Sequence, residues 1–155
     1  MAQGLREELK QTRPFPRRSA EAAVSVLRTA AVLEHELNDV LKPSGLTITQ
    51  YNVLRILRGA GEAGLCGREV GERLISRVPD VSRLLERMED VGLVARERDE
   101  SDRRHVTARI TDAGRRLLEA VTPGLEAVER ARFGRLSESA LQAMITSLAQ
   151  VREKP

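Results

Sequence analysis

Apolar side chains recur with a helical period along most of this chain. From Ala23 they fall at Val26, Leu27, Ala30, Leu33, Leu37, Val40 and Leu41, the spacing of one buried helix face. A long amphipathic helix is predicted there, stopped by Pro43 and Gly45. Residues 1–18 before it are polar, carry Pro14 and Pro16, and read as a flexible arm that ends at a helix start near Ser19. The next helix is announced by Thr47-Ile48-Thr49-Gln50: Thr47 can cap the free amides, Gln50 can reach back, and Leu46 can staple onto Tyr51. Its stripe of Tyr51, Val53, Leu54 and Leu57 runs to Gly59 and Gly61. A short helix is expected around Arg68–Ile75, buried through Val70 and Leu74. After Ser76-Arg77-Val78, Pro79 suits the first turn of another helix. Val81, Leu84, Leu85 and Met88 form its stripe, and Gly92 ends it with a left-handed cap.

The period then changes to two. Leu93–Arg98 and His105–Ile110 read as strands, with Val106, Ala108 and Ile110 on one face and the polar tip Asp99-Glu100-Ser101-Asp102-Arg103-Arg104 between them. Thr111 can cap a further long helix striped by Leu117, Leu118, Val121, Leu125 and Val128 and bent at Pro123. A last helix from about Ser137 turns Leu141, Met144, Ile145, Leu148 and Val151 inward. The fold class is therefore mainly α with a small β hairpin. Three helices followed by a hairpin with a basic tip is the order of a winged helix-turn-helix.

Composition narrows the function classes. The chain has 155 residues, 41% hydrophobic and 32% charged, enough for one folded domain and without an apolar run of membrane-spanning length. No secretion signal opens it, so a cytoplasmic location with no membrane association is expected. The single cysteine, Cys66, excludes an internal disulfide and a multi-cysteine metal site; a buried, inert thiol is the expectation, against a redox role. Net charge is +3. From Arg68 to Arg109, ten arginines meet ten acidic residues without a single lysine. The guanidinium fork matches phosphate and guanine edges in a way that an ammonium cannot. Aromatic residues make up only 2%, which argues against stacking on single strands and for duplex DNA.

The stripe of Val81–Met88 leaves Pro79, Asp80, Ser82, Arg83, Glu86 and Arg87 outward. Arg83 is the leading candidate to read a base edge, with Ser82 and Arg77 beside it. The alternative is an ordinary solvated face whose Arg and Glu pair at i,i+3 or i,i+4 spacing. At the hairpin tip, two adjacent arginines repel unless a polyanion lies near, and a narrow minor groove attracts an inserted arginine. Asp102 would orient the neighbouring guanidinium. His35 and His105 lie far apart in the chain with no clustered ligands, so no metal is expected. No nucleophile motif, P-loop or dinucleotide fingerprint is present, which leaves no catalytic residue or cofactor to name and argues against an enzyme. His35, with Arg28 and Tyr51, could line an effector pocket; a partly exposed helix histidine is the other reading.

The run from Leu46-Thr47-Ile48-Thr49-Gln50-Tyr51 through Val91-Gly92-Leu93-Val94, Asp102-Arg103-Arg104 and Ile110-Thr111-Asp112-Ala113-Gly114 resembles the MarR family of transcription regulators in identity, order and spacing, over roughly residues 20–150. The resemblance implies a homodimer built through residues 19–42 and 112–152, with 46–111 as the DNA-binding lobe of one domain over 19–155. It implies helices in successive major grooves of a pseudo-palindromic operator and hairpin arginines in the flanking minor grooves. Arg104 matches the minor-groove residue and Asp102 its partner. The DNA-binding set is then Arg77, Pro79, Asp80, Ser82, Arg83, Arg87, Asp102, Arg103 and Arg104. Repression relieved by a small hydrophobic or phenolic effector is likewise implied. The oxidation-sensing branch carries its cysteine in the first long helix, whereas Cys66 lies elsewhere. The competing function is a helical protein–protein adaptor without DNA binding.

Overall fold

The computed structural model describes residues 4–102 and 104–154. Among these residues the chain forms α1 (Leu5–Glu8), α2 (Arg18–Leu41), α3 (Ile48–Ala60), β1 (Leu65–Cys66), α4 (Gly67–Arg73), α5 (Val81–Asp90), β2 (Val94–Arg98), β3 (Val106–Ile110), α6 (Asp112–Phe133) and α7 (Glu138–Arg152), with short 3₁₀ turns at Lys42–Ser44 and Gly61–Ala63. Helix α3 is the hub and packs against α2, α4, β3 and α6. Its Val53, Leu54 and Leu57 are fully buried with Leu41, Val70, Met88 and Leu118. Each such side chain contributes roughly 1.5–3 kcal/mol by leaving water.

The capping signals act as their residue types require. The Thr47 hydroxyl accepts from the Gln50 amide at 3.2 Å, and the Gln50 side chain accepts from the Thr47 amide at 3.0 Å. The Thr111 hydroxyl accepts from the Gly114 amide at 3.0 Å and starts α6. Gly92, at φ +78°, follows α5 in the left-handed region that glycine adopts without penalty.

Several elements depart from the sequence pattern. The sheet has three strands in the order β1-β3-β2, all antiparallel, with Leu65 opposite Ala108 and Val94 opposite Ile110. Two residues are too few to show an alternating pattern, so β1 left no periodic signal. Helix α4 ends at Arg73, and Leu74 is already extended, which leaves Ile75 86% exposed. Asp80 caps α5, so Pro79 precedes the cap instead of occupying the first turn. Pro123 lies inside α6, where the sequence pattern places it. The N-terminal segment contains the turn α1, and Arg28 on α2 donates to the Glu8 carboxylate at 2.7 Å. The α7 stripe is only partly covered in the single chain: Leu141, Met144 and Leu148 are half-buried, whereas Ile145 and Val151 stand exposed.

One junction holds the lobe together. The Thr111 amide donates to the Leu93 carbonyl at 3.2 Å and the Thr111 hydroxyl donates to the Gly92 carbonyl at 2.7 Å. Gly114 packs into the same corner. A Cβ there would collide with the Leu93 carbonyl oxygen and come within 2.9 Å of Ile110 Cγ1 and 3.3 Å of Leu54 Cδ2. Helix propensity alone favours alanine over glycine by about 1 kcal/mol, but backbone on the far side cannot yield. Gly114→Ala is expected to destabilise the protein by about 1–3 kcal/mol in urea denaturation; an unchanged or raised midpoint would show that the corner relaxes freely.

Candidate nucleic-acid interface

Burial of Leu84, Leu85 and Met88 sets the face that α5 turns to solvent. Ser82, Arg83, Glu86 and Arg87 are all exposed, as are Arg77 and Pro79 on the connection before the helix. Asp80 secures the start of the helix, where its carboxylate accepts from the Arg83 amide at 2.9 Å. This satisfies a free donor at a place where negative charge also suits the helix dipole. Ser82 sits on the flank of the face beside Gly67 of α4.

The balanced charge of this segment is sorted in space. Glu89 accepts from the Arg96 amide at 3.0 Å and from Arg96 Nε at 2.9 Å, and Arg96 Nη1 lies 3.4 Å from Glu86. Glu97 pairs with Arg109 at 2.8 Å and Glu72 with Arg68 at 2.9 Å. The Glu69 carboxylate accepts from the Cys66 amide at the start of α4. These carboxylates are thus engaged by the scaffold, while Arg77, Arg83, Arg87 and Arg98 form no ion pair among the described residues. The pairing of Arg83 with Glu86 that a solvated face would show is absent, because Glu86 turns to Arg96. Arg96 and Arg98 were not singled out by sequence: a helix-to-strand pair seven residues apart follows no period.

The hairpin tip is built by carboxylates. Asp99 accepts from the Ser101 hydroxyl at 2.5 Å and its amide at 2.7 Å; these bonds, with one from the Asp102 amide, hold the Asp99 carboxyl below its usual range. Asp102 accepts from the Arg104 amide at 3.0 Å and lies 3.4 Å from Arg104 Nε. The Arg104 side chain is 94% exposed, so a fixed backbone carries an extended guanidinium into solvent. Arg103 lies outside the described residues.

The three side chains expected around an effector each have a partner of their own. Arg28 is engaged by Glu8, exposed His35 lies 3.5 Å from Asp39, and half-buried Tyr51 has Arg55 over its ring at 5.9 Å. An apolar cavity of about 270 Å³ instead opens between α2, α3 and the connection after α4, lined in part by Leu33, Leu37, Asn52, Leu74 and Ile75. The helical pattern could not find it, since one wall is the irregular segment before α5. Cys66 is half-buried rather than fully buried, because it occupies the N-cap of α4 at the end of an edge strand. Among the described residues no cluster of His, Cys, Asp or Glu could hold a metal, and no helix is long and apolar enough to cross a membrane.

A helix with an arginine-rich outer face, preceded by two packed helices and followed by an arginine-tipped hairpin, defines a winged helix-turn-helix DNA-binding protein. The family model described as "MarR family" matches residues 44–105. The chain is 31% identical over 140 residues to the HTH-type transcriptional regulator YkoM of Bacillus subtilis, covering 86% of this chain and 88% of that protein. It is 33% identical to the HTH-type transcriptional repressor Rv2887 of Mycobacterium tuberculosis, covering 70% of this chain and 74% of that one. Among solved structures, CouR from Rhodococcus jostii RHA1 bound to p-coumaroyl-CoA superposes with a TM-score of 0.72 at 26% identity, covering 88% of this chain and 95% of that chain. The chain belongs to the MarR family of transcription regulators.

The bonds from Arg96 hold the Glu89 carboxyl below the usual carboxylate range, the guanidinium bond foremost. A carboxyl depressed in the folded state adds stability above its unfolded pKa and loses it as the pH falls through the folded one. Because Glu89 is partly exposed, Glu89→Gln is expected to cost only about 1 kcal/mol near pH 7. The difference from wild type should close as pH drops below about 4.3. Urea denaturation across pH checks this; a gap independent of pH would assign the loss to packing.

Proposed function

We propose that this protein is a cytoplasmic homodimeric repressor that acts by binding, without catalysis. In this reading α5 enters the major groove of a pseudo-palindromic duplex operator, the β2–β3 hairpin enters the adjacent minor groove, and a small hydrophobic or phenolic effector releases the complex. The observation that carries it is the sorting of charge on α5: Arg83 and Arg87 are exposed and free of ion pairs among the described residues, while Glu86 is drawn away by Arg96. Arg83 supplies base contact, with Arg77, Pro79, Ser82 and Arg87 as neighbours. Asp80 contributes by holding the helix end, and Asp102 by aiming Arg104 into the minor groove beside Arg103.

The dimer reading rests on apolar side chains that the single chain leaves uncovered: Leu27 is 70% exposed, Ile145 58% and Val151 75%. They lie on α2 and α7, within the terminal helices 19–42 and 112–152, and a two-fold related copy of the same helices would cover them. This leaves residues 46–111 as the DNA-binding lobe. Release is supported by the cavity, because Leu74, Ile75 and Ser76 in its wall belong to the connection that leads into α5. A ligand that fits the cavity better in one arrangement of that connection shifts the lobe toward it, with a coupling of about 1–3 kcal/mol. CouR is an instance of the fold solved with p-coumaroyl-CoA bound.

Two measurements test this. Sedimentation equilibrium at micromolar concentration is expected to give twice the mass of the 155-residue chain; a monomer refutes the dimer. Duplex binding should weaken roughly 10³–10⁵-fold between 50 and 200 mM salt if about six to ten phosphates are neutralised. Within that assay Arg83→Ala should lose roughly 1–3 kcal/mol of discrimination at one symmetric operator position, and Arg104→Ala should weaken sites with A·T-rich flanks most. Adding hydrophobic and phenolic compounds reads release in the same assay. Salt-independent binding, or equal affinity for scrambled DNA, would favour the protein–protein adaptor.

A further inference from the structure

Arg96 occupies an unusual place for a residue of an arginine-rich DNA-binding lobe. It lies on β2, an edge strand of the sheet, and its side chain is only 21% exposed. Its guanidinium turns back onto α5, where it meets Glu89 in the last turn and Glu86 one turn earlier. Its amide is also taken by Glu89, so strand and side chain are tied to the same helix end. Arg83 precedes Glu86 by three residues, a spacing at which helix side chains are neighbours and opposite charges come within reach of each other. Within α5, then, Arg83 is the natural partner of Glu86, and Arg96 competes for that carboxylate.

We propose that Arg96 is a positioning residue for sequence reading: it holds Glu86 off Arg83 and fixes the hairpin's angle to α5, so that operator discrimination depends on a side chain outside the reading face. The inference rests on the reading of α5 as the element that contacts bases. Two consequences separate it from a merely structural brace. Without Arg96, Glu86 turns to Arg83 and the base contact is lost, whereas phosphate contacts by other arginines persist. Neutralising Glu86 in the same chain then returns Arg83 to the DNA, although the hairpin remains untied.

The test uses the full-length wild type, Arg96→Met, Arg96→Lys, Glu86→Gln and the Arg96→Met/Glu86→Gln double variant. Each is titrated at one salt concentration against an operator selected by the wild type from random duplexes, a core-altered copy and a flank-replaced copy. Arg96→Met is expected to reduce the preference for operator over core-altered DNA about tenfold, the scale of one base contact. Arg96→Lys, which keeps the cation but lacks the planar fork that spreads the donors over both carboxylates, should fall between it and the wild type. The double variant should recover the core preference to within about threefold of wild type, while its preference for the native flank stays reduced. Circular dichroism melting confirms folding at the assay temperature, with Arg96→Lys carrying the comparison if Arg96→Met is unfolded. An unchanged core preference in the Arg96 variants overturns the proposal, as does equal weakening on all three DNAs or a failure of Glu86→Gln to restore it. A wild type with no duplex affinity removes the reading beneath it, and the inference with it.

Discussion

The carbonyls of Gly92 and Leu93 meet the amide and hydroxyl of Thr111 at the point where four elements join: the end of α5, the start of β2, the end of β3 and the start of α6. Both elements of the candidate interface, α5 and the hairpin, are referred to this corner. It sets where α5 stops and where the hairpin departs, and through the Thr111 cap it sets the direction of the long helix α6. Gly114 lets that helix approach closely enough for Leu54 and Ile110 to fill the space beside it. A close-packed corner with no slack transmits orientation rather than absorbing it.

A segment whose charges cancel, residues 68–109, can still present a basic face when its carboxylates are used elsewhere. Asp80 and Asp99 satisfy main-chain donors, Glu86 and Glu89 hold Arg96, and Glu97 holds Arg109. Surface ion pairs of this kind add little stability each. Their effect here is directional: they fix which guanidinium groups remain available, and duplex DNA responds to local potential rather than to the sum over a segment.

The outer helices pose the complementary problem. Apolar residues on α2 and α7 remain exposed in the single chain, and the cavity beside α2 is bounded by the connection that leads to α5. Helix α2 therefore takes part in both the uncovered apolar surface and the cavity wall. In the proposed dimer, that shared element would link an occupied cavity to the spacing of the two copies of α5.

Helix existence, the capping box at Thr47, the cap at Thr111, the hairpin and the family resemblance were legible in sequence because each depends on residues within a few positions of one another. Periodicity and capping are local physics, and Gly92, Thr111 and Gly114 declare themselves through residue types that few alternatives replace. The strand β1, the exposed part of the α7 stripe, the partial exposure of Cys66 and the Arg96 bridge to Glu86 and Glu89 were not legible. Neither was the cavity, whose walls come from α2, α3 and the segment after α4, nor the engagement of Arg28 by Glu8. These features arise where residues distant in sequence compete for the same partner or the same space, and only packing in three dimensions decides which one obtains it.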